Sequence, residues 1–375
     1  MRFAEIQGHE HTKQRLINVV HNNQVAHAQL FFGPEGSPNL TLALAFATYL
    51  NCQNRHVNDA CGQCVSCLQM KKRIHPDVHF VFPISSTTKI KGKDVISANF
   101  LEAWRSFLDE HPYGSVSDWS YYFDGENKQL NISKEEARQI LQNLSLKAFQ
   151  AGYKIMLIWL PEYMHVTAAN TLLKILEEPP LHTLFLLVSF DTEEILPTIL
   201  SRTQQRHISA FPDDTISAIV SQQHAVSEDK LSQIVTLAHG NLHKALQLVD
   251  EITDNNFISF QGWMRLCYAH NFTKLISQAD AFQKMTRIAQ KNFLIYSLHM
   301  IRAALIINAT QAKLTRLTEK EHSFIKKFSP TLTLEKIDKL AQWLNQAYYM
   351  IDRNANPKIT HLALSLKIAK LFQND

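Results

Sequence analysis

Three unbroken apolar runs constrain what this chain can fold into. Residues 30–32 end at Gly33-Pro34, residues 155–160 are continuously apolar, and residues 184–188 form the third run. A strand buried on both faces reads this way, because helices cover each face of a parallel sheet. Segments of helical length lie between the runs. One covers 40–50, with Ser37 as N-cap and Pro38 as first helical residue; another covers 168–178 and stops at Pro179-Pro180. Residues 78–82 supply a fourth strand. Strands alternating with helices predict an α/β domain with a parallel sheet and right-handed crossovers.

Residues 84–130 break this rhythm with polar and aromatic residues, including Lys89–Lys93 as KIKGK and a Tyr/Trp cluster over 119–123. They read as an insertion. After about His207 the strand signals vanish, and amphipathic helices are expected at 214–223, 228–238 and 242–251, with a break at Gly240-Asn241. At roughly 100–200 residues per domain, 375 residues make two or three domains. Only 10 glycines argue against a turn-rich all-β protein.

Four of the five cysteines share one window, Cys52-x8-Cys61-x2-Cys64-x2-Cys67, with Cys267 apart as a buried thiol. Four thiolates on a short loop can close a tetrahedral site around Zn(II), and Gly62 suits the turn between them. With no open ligand position, such a zinc would be structural. Four free thiols and an iron–sulfur cluster are the alternatives. The cluster pattern usually places its last cysteine downstream before a proline, whereas Cys67 is followed by Leu68.

Gly33-Pro34-Glu35-Gly36-Ser37-Pro38-Asn39-Leu40 sits where a phosphate-binding loop, G-x-x-x-x-G-K-S/T, would sit. Gly33 remains and Gly36 lies within the loop, but Pro38 stands where the motif's last glycine would. Pro38 removes a backbone donor, Asn39 replaces the lysine, and Leu40 replaces the hydroxyl that holds Mg²⁺. The bland alternative is an ordinary strand–helix turn. The next buried strand agrees with the losses: Trp159 and Leu160 stand where an acidic pair is expected, and Glu162 lies two residues too far on.

These residues resemble the bacterial clamp-loader AAA+ subunits of DNA polymerase III. The cysteine spacing after the loop's helix is similar to the family's zinc module, as is His75-Pro76-Asp77 behind it. Residues 170–180, NTLLKILEEPP, are similar to the family's NALLKTLEEPP stretch, and 196–204 to its LPTILSRCQ stretch. The motifs run in family order over about 25–207. The helical C-terminal third matches by architecture, and 354–358 resembles the family tail.

The resemblance implies a RecA-like AAA+ α/β domain over 1–207, with the zinc module at 52–67 and the insertion at about 84–130. Two all-α domains would follow, a small lid at 208–252 and an oligomerising collar at 253–375. The family contains a motor (gamma/tau) and a partner that does not hydrolyse ATP. The degraded loop implies the partner, with structural Zn(II) and no productive ATP binding. Gly240-Asn241-Leu242-His243-Lys244-Ala245 matches a G-x-x-R-x-A lid helix, with His243 replacing the nucleotide-sensing arginine. Arg202, in Ser201-Arg202-Thr203, matches an arginine finger that reaches the γ-phosphate on a neighbouring subunit; Thr203 stands where the family has Cys. A finger is worth roughly 10³–10⁵ in rate. Implied partners are the motor and delta subunits in a hetero-oligomer, the sliding clamp indirectly, and primed DNA. The alternatives are an active gamma/tau-type motor and a stand-alone zinc-module nucleic-acid binder.

A net charge of +4 offers no dominant basic face for gripping DNA unaided. The N-terminus lacks an apolar signal region, and no unbroken run approaches the ~18–20 apolar residues of a membrane span. A soluble cytoplasmic protein is expected.

Overall fold

The strand Lys154–Trp159 is buried along its whole length, as its sequence demands. A computed structural model describes residues 1–125, 128–146, 148–150, 152–251, 256–309 and 317–373. In it five strands form one parallel sheet: β1 (Ala28–Phe32), β2 (Val78–Val81), β3 (Lys154–Trp159), β4 (Thr183–Ser189) and β5 (Gln204–His207), in the order β2-β3-β4-β1-β5. Register is fixed by apolar pairs such as Leu30 beside Leu187 and Ile155 beside Leu184. The α/β expectation holds. β5 was not expected: QQRH is polar, and as an edge strand it leaves Gln204, Gln205 and His207 exposed.

The chain divides into two compact units, Met1–Thr215 with Gly240–His243, and Ile216–His239 with Lys244–Asp375. The expected boundary at 252 lies outside the described residues. In the first unit the helices are α1 (Glu10–His21), α2 (Asn39–Asn51), α3 (Val65–Lys71), α4 (Leu101–Glu110), α5 (Val116–Tyr121), α6 (Lys134–Ser145), α7 (Val166–Glu177) and the single turn α8 (Pro197–Leu200). Side chains alternate across the sheet. Met156 and Ile158 join a core with Ala137, Ile140, Leu172 and Leu176 of α6 and α7. Ile155, Leu157 and Trp159 join the opposite core with α2, all of whose residues are buried.

The 84–130 insertion belongs to that second core. Trp104 stacks on Phe82 at 4.3 Å, Trp119 meets Trp104 edge-on at 5.2 Å, and the Trp119 indole N–H donates to the Pro83 carbonyl at 2.7 Å. Truncating a buried tryptophan of this kind costs about 3–5 kcal/mol. The polar composition of the segment belongs to its solvent side and hides an aromatic wedge.

The later helices are α9 (Asp213–Gln223), α10 (Glu228–Ala238), α11 (Leu242–Glu251), α12 (Asn256–Tyr268), α13 (Phe272–Lys284), α14 (Arg287–Ala309), α15 (Glu319–Phe328), α16 (Leu334–Asp352) and α17 (Pro357–Gln373). In the second unit Trp263 donates to Ser365 Oγ at 2.8 Å, and the fully buried Cys267 donates to the Ser365 carbonyl at 3.6 Å. Ala289–Ala309 is long and apolar enough to cross a membrane by length and composition alone. It is not an unbroken apolar run, since Gln290, Lys291, Asn292 and Arg302 interrupt it. Half of that stretch is buried, as in the core helix of a folded unit.

Candidate functional site

The segment 33–38, read above as a degraded phosphate loop, joins β1 to α2. Its shape follows from Gly36, whose φ of +77° is costly for any residue with a Cβ. A Cβ there would also meet Asn241 Oδ1 at 1.9 Å. Ser37 is not the helix cap. Pro38 occupies the N-cap position, and the Ser37 hydroxyl turns inward, donating to the Pro34 carbonyl and approaching Asn39 Oδ1 at 3.0 Å. A proline has no N–H to offer and fixes the entry to the helix, so the serine serves the loop instead.

Asn39 fills the loop. Its side chain is fully buried and its amide donates to the Gly33 carbonyl at 2.7 Å and to the Ser189 carbonyl at 3.2 Å. The Gly33 N–H is also directed at Ser189 O, at 3.4 Å. Leu40, in place of the Mg²⁺ hydroxyl, lies in the apolar core. Trp159 and Leu160, where the sequence reading expected an acidic pair, are buried in the same way. The Trp159 ring packs on Trp104 at 5.1 Å and on Phe107 at 5.6 Å, and Leu160 is fully buried in a left-handed conformation. Glu162 is half-buried, and burial pushes its carboxyl up to about 7. Its carboxyl hydrogen-bonds Ser189, the residue whose carbonyl accepts from Asn39.

Two residues at this site were not legible in the sequence. Asn241 packs over Gly36 and hydrogen-bonds Glu35, while the Leu242 N–H donates to the Gly36 carbonyl at 3.2 Å. Asp118, from the insertion, lies 2.8 Å from His243 Nε2. Burial would raise the Asp118 carboxyl, but hydrogen bonds from His243 and Ser115 hold it well below the usual carboxylate range. The only sequence signal for Asp118 is the capping box it forms with Ser115 at the start of α5, which speaks of helix entry alone.

The cysteine loop lies at the other end of α2. Cys52 is that helix's C-cap and Cys64 is the N-cap of α3. The four sulfurs of Cys52, Cys61, Cys64 and Cys67 all lie within 4.8 Å of one another, and Cys61 and Cys67 are 3.9 Å apart. Tetrahedral zinc with bonds near 2.3 Å sets its sulfurs about 3.8 Å apart, so the set fits. Amide N–H groups already point at three sulfurs: Cys61 N at Cys52 (3.3 Å), Cys64 N at Cys61 (3.4 Å) and Cys67 N at Cys64 (3.4 Å). Amides of Gln63 and Cys64 pull the Cys61 thiol down to about 6, whereas burial pushes Cys67 up. These residues could hold one metal ion. His75 is buried beside them in sequence, and the Asp77 carboxylate accepts the Phe149 and Gln150 amides at 2.6 and 2.7 Å, a structural use of that motif.

Arg202 follows α8 on the surface. Its Nε donates to Glu177 Oε1 at 2.5 Å, and Nη1 donates to the Thr198 carbonyl at 2.7 Å and to Ser201 Oγ at 3.2 Å. Glu177 ends α7, within the LEEPP stretch, so two of the family-like motifs meet here. Thr203, in place of the family cysteine, donates to the Leu200 carbonyl at 3.1 Å.

Residues 8–212 match the family model described as "DNA polymerase III, delta subunit". The chain belongs to that family. It is homologous to the tau/gamma subunits. The tau subunit of Bacillus subtilis is 26% identical over 266 residues, covering 70% of this chain and 38% of the relative. The tau subunit of Escherichia coli is 26% identical over 254 residues, covering 66% of this chain and 32% of the relative. The chain thus spans about a third of the length of the curated relatives it matches. A Thermotoga maritima structure titled as a DNA polymerase III gamma subunit-related protein aligns over 95% of this chain and 99% of that one, at 14% identity and a TM-score of 0.40.

Proposed function

We propose that this chain is a delta-prime-type subunit of the bacterial clamp loader: a non-hydrolysing AAA+ member that supports ATP-driven loading of the sliding clamp onto primed DNA. The observation that carries this reading is Asn39, whose buried amide is spent on Gly33 and Ser189 where a motor needs a free lysine. Trp159 and Leu160 remove the metal-holding acids from the same site. The chain's contribution to chemistry is Arg202, donated to ATP held by a neighbouring motor subunit; a delta subunit completes the hetero-oligomer. Four thiolates from Cys52, Cys61, Cys64 and Cys67 hold a structural Zn(II), which supplies rigidity to the turn and no reaction step. The three-domain division into an AAA+ domain, a lid at 208–252 and a collar at 253–375 forms part of this reading.

In the reconstituted loader, Arg202→Ala should leave assembly intact and slow ATP hydrolysis by a factor of at least about 10³ at the site it serves. Unchanged turnover would remove the finger role. A second reading, an active gamma/tau-type motor, has one observation in its favour, the sequence match to tau subunits. ATP turnover by the purified chain alone, surviving repurification and abolished by a change at Asn39, would establish it over the first.

A further inference from the structure

The 84–130 insertion has no assigned role, yet it sends one charged side chain to the segment that covers the phosphate loop. We propose that Asp118 and His243 form an internal latch, which pins the Gly240–His243 turn onto the loop and keeps the loop closed without any nucleotide. The proposal deepens the non-hydrolysing reading and rests on it for its functional meaning.

Asp118 is held rigidly. It closes the capping box of α5, accepting from the Ser115 amide at 2.8 Å, while its own amide meets Ser115 Oγ at 3.2 Å. Trp119 next to it is fully buried and anchored to the Pro83 carbonyl. The carboxylate therefore projects from a fixed point on the aromatic core. His243 is 6% exposed and meets it at 2.8 Å, with the His111 ring edge-on to the His243 ring at 5.5 Å. A half-buried hydrogen bond to a carboxylate is stronger than one in open solvent, because less water competes for either group.

The turn it fixes is packed against the loop. Asn241 crowds Gly36 so closely that no Cβ fits, the Leu242 amide donates to the Gly36 carbonyl, and Asn241 hydrogen-bonds Glu35. These contacts at the surface of the loop would be weak alone. With the end of the turn tied to the insertion, loosening it requires breaking the Asp118–His243 hydrogen bond as well. An internal carboxylate thus does what a bound anion would otherwise have to do: it gives the sensor-position side chain a partner.

The test is amide hydrogen exchange on the full chain, read on peptides covering 33–42 and 240–248, with the melting temperature recorded alongside. His243→Ala leaves the capping box intact, and Asp118→Asn keeps the shape of α5 while removing the charge. Each should speed exchange of the loop peptides by about tenfold or more, with sheet peptides unchanged. The double variant should be no faster than the faster single variant, because both cut one link. Tyr122→Phe removes a neighbouring 2.7 Å bond to Glu110 and should leave the loop at the wild-type rate. Loop exchange at the wild-type rate in both single variants overturns the latch, as does faster exchange spread evenly over every peptide. Neither result bears on ATP turnover, which judges the non-hydrolysing reading separately.

Discussion

Helix α2 carries a ligand-type loop at each end, and the two loops have opposite fates. At its N-terminus the 33–38 segment has Gly33, Gly36 and a strand–helix address, but polar groups there are paired internally: Asn39 with Gly33 and Ser189, Ser37 with Pro34, the Gly36 carbonyl with Leu242. At its C-terminus the cysteine loop keeps four sulfurs within 4.8 Å of one another, with amide donors already aimed at three of them. Loop shape survives in both. Spare bonding capacity survives only in the second. A binding site is recognised by the groups that the fold leaves unspent, and the helix between the two loops is the same rigid, fully buried rod in both cases.

The largest effect should come from emptying the loop read as open. Changing Cys64 and Cys67 to Ser should abolish about one bound metal ion per chain and lower the melting temperature of the chain, because metal binding to such a loop is folding free energy. Elemental analysis and thermal melts with and without chelator check this. Wild-type protein that carries no metal, or carries iron, breaks the comparison.

An intermediate effect is expected from trying to reopen the closed loop. Asn39→Lys with Leu40→Thr restores the motor's residue types, but the site is filled by packing as well as by chemistry. The variant should lose about 2–4 kcal/mol of stability, from a buried lysine and two abandoned carbonyls, and should still bind no nucleotide at micromolar levels. Titration with a fluorescent ATP analogue decides it. Micromolar binding would mean that only the side chains had been lost and that the loop was open.

The smallest effect sharpens the picture of the cysteine loop. In metal-free protein, alkylation should begin at Cys61, with a rate that rises through a pH of about 6 as the thiolate forms, since amides of Gln63 and Cys64 stabilise the charge. Cys267, pushed up to about 12 by burial, should react last. Peptide mapping after brief iodoacetamide treatment gives the order, and Cys267 reacting before Cys61 would refute it.

Much of the fold was legible because burial on both faces writes an unbroken apolar run. β1, β3 and β4 fell where those runs lie, and α10 and α11 began and ended at their expected residues, 228–238 and 242–251. β5 was not legible, since an edge strand with its side chains in water needs no apolar pattern. α6 was passed over although Ser133 caps it and Ala137, Ile140 and Leu144 line one face. The N-cap at Ser37 was misassigned because residue preference cannot tell which way a hydroxyl turns. At the sites, cysteine spacing was informative because all four clustered cysteines lie within sixteen consecutive residues. Asp118 was invisible because its partner, His243, is 125 positions away.

Sequence alone determined the parallel α/β layer, the four-cysteine cluster and the residue types, Pro38, Asn39, Leu40, Trp159 and Leu160, on which the non-hydrolysing proposal rests. Each is a local property, carried by residue type at short spacing. Tertiary structure decided what these side chains meet: Asn39 two carbonyls, Trp159 the rings of Trp104 and Phe107, and His243 the carboxylate of Asp118. Which groups are spent on one another depends on distances between residues far apart in the chain, and only the packed sheet sets those distances.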